Sequence, residues 1–162
     1  MNRIDPGAAI SSMADLETSK RGNVIDVAFG SFIDSFVKIK FSGGSGDVII
    51  GPNCYINSGT VIYSGNGVLL RSNVLIASNC TFAATNHAFA DKSRLIRLQG
   101  FMASRGGIVV DDDVWIGANC VLLDGTHIGQ GAVVSAGSVV RGEVPAYAIM
   151  AGTIARQIGE RS

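Results

Sequence analysis

The chain has 162 residues, with thirteen basic and thirteen acidic side chains that cancel to zero net charge, and 21 glycines. A neutral chain has no overall field to hold nucleic acid or an anionic membrane. No apolar run suits a signal peptide or reaches membrane-spanning length, so the expectation is a single cytoplasmic domain.

Glycine at about twice its usual share, with few aromatics and few charges, suits a fold that turns every few residues. Segment 1–22 shows no six-fold period, and a short helix is possible over Ala8–Lys20. From Asn23 to Phe41 aliphatics return without a clean register, which predicts an irregular first coil. Within it, Phe36-Val37-Lys38-Ile39-Lys40-Phe41 alternates like an exposed strand. Ser42-Gly43-Gly44-Ser45-Gly46 reads as a flexible turn.

From Val48 a repeat is firm. Val48-Ile49-Ile50-Gly51-Pro52-Asn53 recurs as Val68-Leu69-Leu70-Arg71-Ser72-Asn73, twenty residues on, with a two-residue bulge around Asn66-Gly67. The period is clearest from Val110 to Pro145. An aliphatic opens each unit of six (Val110, Ile116, Leu122, Ile128, Val134, Val140), and a small or slim residue follows four places on (Val114, Cys120, Thr126, Ala132, Ser138, Val144). The place before that slim residue holds Asp113, Asn119, Gly125, Gly131 and Gly137, and only Glu143 breaks the set. Upstream the same slot holds Asn53, Gly59, Gly65, Asn73 and Asn79. Gly, Asn and Asp tolerate a left-handed backbone, so a turn is specified every six residues. A period of six fits neither a helix nor a free strand but does fit a β-solenoid of three short strands per coil. The aliphatic and the slim residue point inward.

Cys54, Cys80 and Cys120 share that inward register and read as buried small fillers, with no C-x-x-C to suggest a metal or disulfide. The repeat stops at Asn86-His87 and resumes near Ile108. The insertion Ala88–Gly107 carries Lys92, Arg94, Arg97 and Arg105 against Asp91 alone, and a loop of this length in a compact domain is usually functional or disordered. The tail from Pro145 to Gly152 is expected to cap the last coil. The resulting division is an N-terminal segment 1–22, a solenoid 23–157 with its loop 88–107, and a tail 158–162.

The chain has two histidines. His87 stands where the coil breaks, and an imidazole there is suited to take a proton from a hydroxyl or amine. His127 lies inside the regular repeat, facing outward, and reads as a surface or subunit-contact residue.

The repeat resembles that of the hexapeptide-repeat acyltransferases, over roughly Gly46 to Arg156, and most closely the sugar and xenobiotic acetyltransferase branch. The resemblance implies an all-β fold, a left-handed parallel β-helix with one excursion loop, and a homotrimer with sites between subunits. It also implies acetyl-CoA as co-substrate, with no metal. Thr85-Asn86-His87 is similar to the setting of the family's general base, which makes His87 the expected catalytic residue and Asn86 an acceptor neighbour. Val114-Trp115-Ile116-Gly117 and Ser135-Ala136-Gly137-Ser138-Val139-Val140 resemble the stretches that border the pantetheine arm. By position Trp115, Ala118, Ala136, Arg141 and Arg156 are the expected cofactor contacts. Tyr55-Ile56-Asn57 is similar to a Tyr-x-Asn whose Asn holds the acceptor across a subunit boundary. Two departures stand out: Thr153-Ile154 replaces the family's Asn-Pro, and the long helical N-terminal region of the galactoside and maltose enzymes is missing.

The implied function is O-acetylation of a sugar hydroxyl in surface-polysaccharide biosynthesis, with N-acetylation of an amino sugar or nucleotide-linked amino sugar as the alternative. A zinc hydratase on the same helix needs three His ligands where this chain has two. A purely architectural solenoid would not require His87, Trp115 and the basic loop together.

Overall fold

The computed structural model describes residues 1–161. Among them, three sheets run the length of the molecule as the faces of a parallel β-helix. Face 1 has seven strands, from Arg3–Ile4 to Glu143–Val144; face 3 has six, from Asp15–Leu16 to Val139–Val140. Face 2 runs from Ala9–Ile10 to Ala148–Gly152, with Ala155–Glu160 added at its end. The chain visits the faces in turn, so each strand pairs with the one a full coil away. Val68, for example, pairs in parallel with Val48 on one side and with Ile108 on the other.

The inward register holds at every position from Val110 to Val144: all six aliphatics and all six slim residues are buried. They stack in columns, as in Ile56, Ile76, Ile116 and Val134. Each such aliphatic contributes about 1.5–3 kcal/mol through burial. The slim slot does more than fill space. The Cys54, Cys80 and Cys120 thiols donate to the carbonyls of Arg71, Gly117 and Ser135 at 2.9, 3.2 and 3.2 Å. Ser31 and Thr126 hydroxyls do the same toward Gly51 and Val140. Corner carbonyls of the next coil are thereby satisfied from inside.

All ten turn slots adopt positive φ, between 43° at Gly65 and 82° at Gly125. Glu143 departs because the turn there is shorter: Gly142 takes it at φ 75°, and Glu143 already lies in a strand.

Segment 1–22 is no helix and no separate segment; it is the first coil. Ile4, Ile10 and Leu16 lie six apart with Ala8 and Ala14 in the slim slot, so the period was present but carried by small, half-exposed side chains. Its amides are satisfied by the second coil, with Ala9 N–H donating to Ser31 O and Asp15 N–H to Val37 O, both at 2.9 Å. An end coil is covered on one side only, and Ile4 is 40% exposed. The second coil is regular, with Ile25, Val27, Ser31, Ile33, Val37 and Ile39 buried. Its strand covers only Lys38–Lys40, because Phe36 occupies a turn slot at φ 63°.

What hid these coils is uneven corner length. The corners between faces 1 and 2, and between faces 2 and 3, span four residues in each of the first six coils, as at 51–54 and 57–60. The corner from face 3 back to face 1 comprises 17–24, 41–47, 64–67, 84–107, 124–125 and 141–142 in successive coils. Every insertion is confined to one edge of the prism. At the far end Ala148–Gly152 is a further rung rather than the cap, and Ala155–Glu160 folds back antiparallel along it to cover the open edge. A boundary at 157 would cut that strand.

Ile116→Asp or Ile128→Asp is expected to unfold the chain, since an unpaired buried carboxylate adds to the lost burial. Gln130→Ala, at an exposed turn position, is expected to leave melting unchanged; thermal denaturation of the three variants checks the register.

Candidate active site

The face-3 strand Thr81–Ala83 delivers the chain to the variable edge, where it leaves the helix. Its exit is pinned to the two preceding corners. The backbone N–H and side-chain amide of Asn66 both donate to Ala84 O at 3.1 Å, and Thr85 Oγ1 donates to Gly43 O at 3.3 Å. The Ser42–Gly46 run is therefore a packed surface and not a flexible turn. A Cβ on Gly44 would come within 2.1 Å of Gly65 O, and one on Gly43 within 2.4 Å of Thr85 Cγ2 and 3.0 Å of Phe101 Cε1.

Beyond the exit, residues 86–88 and 100–102 form a small antiparallel ladder. Met102 N–H donates to Asn86 O at 2.8 Å and Ala88 N–H to Gly100 O at 3.0 Å. His87 sits in its middle, its ring stacked on Phe101 with centroids 4.7 Å apart. Nδ1 lies 3.3 Å from Gly100 O. A carbonyl only accepts, so this contact places the proton on Nδ1 and leaves Nε2 as a free acceptor. His87, Phe101, Thr85, Ala83, Tyr63 and Ser42 line a hollow of about 350 Å³.

The loop is also held where it returns. Asp124, buried at 3% exposure, accepts Arg105 N–H at 2.9 Å and Gly107 N–H at 3.0 Å. Sequence reasoning missed Ser42, Tyr63, Phe101 and Asp124. The legible signal was positional: Tyr63 and the Gly-rich run stand at the same corner one and two coils before the histidine.

The other expected site residues lie elsewhere. Ala118 and Ala136 meet at the corner between faces 2 and 3, where Gly137 N–H donates to Ala118 O at 2.8 Å. Asn57 shares that corner, and its amide donates to Ile76 O at 2.7 Å. Trp115 and Tyr55 project from face 2, 51% and 43% exposed, with Tyr55 against Phe32. Arg141 is exposed at the variable edge beyond face 3, and Arg156 is exposed on the terminal hairpin. Face 3 thus separates the His87 edge from the Ala118–Ala136 edge, and none of these residues lines the His87 hollow. Asn86 is beside His87, with its carbonyl in the ladder. In the basic loop Lys92, Arg94 and Arg97 are all exposed, and Arg94 donates to Leu98 O at 2.6 Å.

His127 lies outward on face 1 with both ring nitrogens against carboxylates, Nε2 at 2.9 Å from Asp111 and Nδ1 at 3.1 Å from Glu143. Among the described residues no three His, Cys, Asp or Glu side chains are grouped to hold a metal ion. Burial pushes the Cys54 thiol above its ordinary range, and all three thiols are buried and donate to corner carbonyls, so none is exposed as a nucleophile.

A repeat of short parallel rungs with a histidine-bearing excursion is a specific arrangement, and comparison with known proteins agrees with it. The family described as "Bacterial transferase hexapeptide (six repeats)" matches residues 107–142. Galactoside O-acetyltransferase of Escherichia coli is 34% identical over 147 residues, covering 89% of this chain and 70% of that protein. The chain belongs to the hexapeptide-repeat acetyltransferases. A solved hexapeptide-repeat acetyltransferase of Vibrio cholerae, complexed with acetyl-CoA, superposes with a TM-score of 0.66 at 25% identity, over 99% of this chain and 69% of that one. The fold is also that of AntD, an N-acyltransferase from Bacillus cereus solved with dTDP and 3-hydroxybutyryl-CoA (TM-score 0.81, 23% identity, 97% and 81% covered). As an acetyltransferase of this family, the chain has its histidine where the excursion begins.

Asp111 links the coils that flank the loop's return. Partial burial raises its pKa, but hydrogen bonds from His127 and from Arg71 at 2.8 Å outweigh this and hold the carboxyl below its usual range. A depressed folded-state pKa adds stability above the unfolded value of about 3.9 and loses it as pH falls through the folded one. Asp111→Asn is accordingly expected to melt lower than the parent at neutral pH, with the difference shrinking as pH falls below about 4 and gone once it is below the depressed folded-state pKa. Paired melts across pH check this.

Proposed function

We propose that the protein is an acetyl-CoA-dependent O-acetyltransferase that acetylates a sugar hydroxyl in the cytoplasm, as a step in building a surface polysaccharide. His87 Nε2 takes the proton of the acceptor hydroxyl as its oxygen attacks the thioester carbonyl; the thiolate of CoA leaves and is protonated in turn. The observation that carries this reading is the contact between His87 Nδ1 and Gly100 O, which leaves the second nitrogen free as a base beside an accessible hollow. Direct transfer is favoured over an acyl-enzyme, because all three cysteines are buried and, among the described residues, no serine hydroxyl is hydrogen-bonded to His87. O-transfer is favoured over N-transfer by the near full-length likeness to galactoside O-acetyltransferase. The match to the tetrahydropyridine-dicarboxylate N-acetyltransferase of Staphylococcus aureus spans 36% of this chain and 25% of that protein.

The coils are wound left-handed, as the family's are. Trp115, Ala118 and Ala136 border the thioester arm, Arg141 and Arg156 meet the CoA phosphates, and Tyr55, Asn57 and Asn86 hold the acceptor. Because the His87 edge and the Ala118–Ala136 edge flank face 3 from opposite sides, a complete site joins two chains of a homotrimer. The exposed Phe89, Leu95, Ile96 and Leu98 of the loop support contact with such a neighbour.

Light scattering is expected to give a trimer, and a fully active monomer would overturn that assembly. His87→Ala is expected to lower kcat by about 10²–10⁴-fold, roughly 3–5 kcal/mol of transition-state stabilisation, with little change in either KM. His127→Ala is the matched control and is expected to retain turnover. Steady-state kinetics with a hydroxyl acceptor decides; wild-type turnover in His87→Ala sinks the assignment.

A further inference from the structure

The excursion loop has no core of its own. From 89 to 106 every residue is exposed except Gln99, which is half-buried. Its side-chain amide makes three hydrogen bonds to the loop's own backbone. Oε1 accepts Asp91 N–H at 3.1 Å, and Nε2 donates to Asp91 O and to Arg94 O, each at 2.9 Å. Its backbone N–H meanwhile closes the single helical turn Ile96–Leu98 by donating to Ile96 O at 3.0 Å. The next residue is Gly100, whose φ of 79° aims the chain into the ladder and whose carbonyl faces His87 Nδ1.

We infer that Gln99 is a positioning residue for catalysis: its amide sets the shape of the loop so that the Gly100 carbonyl fixes the Nδ1–H tautomer of His87. The physical argument is one of alternatives. A loop without buried apolar area cannot hold a unique conformation through packing. Here one amide ties three backbone groups, and it does so directly before the carbonyl that accepts from the imidazole. Phe101 fixes the plane of the imidazole ring by stacking but does not choose between its nitrogens. Without a fixed acceptor at Nδ1, the ring populates both tautomers, and in one of them Nε2 carries the proton and cannot serve as base.

The inference rests on the reading of His87 as base, but its first test does not depend on turnover. The chain contains two histidines, so imidazole ¹⁵N–¹H correlation spectra of the full-length protein are assignable with His127→Ala as reference. The parent is expected to show His87 as the Nδ1–H tautomer, and Gln99→Ala and Gln99→Glu to show a mixture. The carboxylate of Gln99→Glu has the same shape but cannot donate to Asp91 O or Arg94 O. In kinetics, both variants are expected to lower kcat by about 10–100-fold, less than loss of the base itself, with KM for acetyl-CoA and the melting temperature unchanged. In a His87→Ala background the same substitutions are expected to cost nothing further, because there is no ring left to position. An unchanged tautomer in Gln99→Ala, or an equal kcat loss with and without His87, overturns the inference. A single tautomer in the parent that becomes mixed in Gln99→Ala, combined with wild-type turnover in His87→Ala, would instead overturn the catalytic role of His87 and leave the positioning of its ring intact.

Discussion

In a parallel β-helix no coil can satisfy its own backbone; the amides and carbonyls of each rung pair only with the rungs above and below. This dependence extends into the corners. Asn73 N–H donates to Pro52 O at 2.9 Å, Asp113 N–H to Ser72 O at 3.0 Å and Gly131 N–H to Asp112 O at 2.9 Å, one coil to the next. A corner that belongs to such a ladder cannot change length without breaking bonds on both sides. Two of the three corners repeat these bonds in one register and keep four residues in the first six coils, whereas the third makes them at different places in each coil. The third absorbs all the variation, from two residues to twenty-four.

The excursion that carries His87 follows from that asymmetry. Only the variable edge can carry a loop, so only there can a side chain be held off the wall of the helix by something other than the helix. The edge is not loose. Its glycines permit backbone-to-backbone contact, as where Gly107 seats against Gly67 O, and Asp124 clamps the returning strand with two charge-assisted hydrogen bonds. His87 is consequently rigid on its inner side, and its orientation depends on a ladder of only a few residues on its outer side. The opposite corner holds Ala118 and Ala136, joined where Gly137 N–H donates to Ala118 O. His87 and the Ala118–Ala136 pair therefore lie on different edges of one chain.

The register of Ile116 and its column, the turns at Asn53 through Gly137 and the special place of His87 were all legible in the residues, because each is enforced locally. A left-handed turn selects Gly, Asn or Asp, and an inward slot selects a slim side chain. The first coil was missed although Ile4, Ile10 and Leu16 keep the period. Its residues are covered on one side only, so selection for bulk is weak there, and the long corners 17–24 and 41–47 break the phase. The Ser42–Gly46 run was misjudged for the converse reason. Glycine in a free loop and glycine under a backbone contact look alike in one dimension.

By itself, then, the sequence determined the repeat, the inward and outward sense of nearly every side chain from Val48 to Val144, and the histidine at which the repeat is interrupted. Tertiary structure alone decided which residues meet that histidine. Ser42, Tyr63, Ala83 and Phe101 converge on it because the corners of successive coils stack. Coil steps of twenty residues between Val48 and Val68 and forty between Val68 and Ile108 place no recognisable interval between them. It decided as well which imidazole nitrogen carries the proton. That choice belongs to a carbonyl thirteen residues away, presented by a loop whose shape no period encodes.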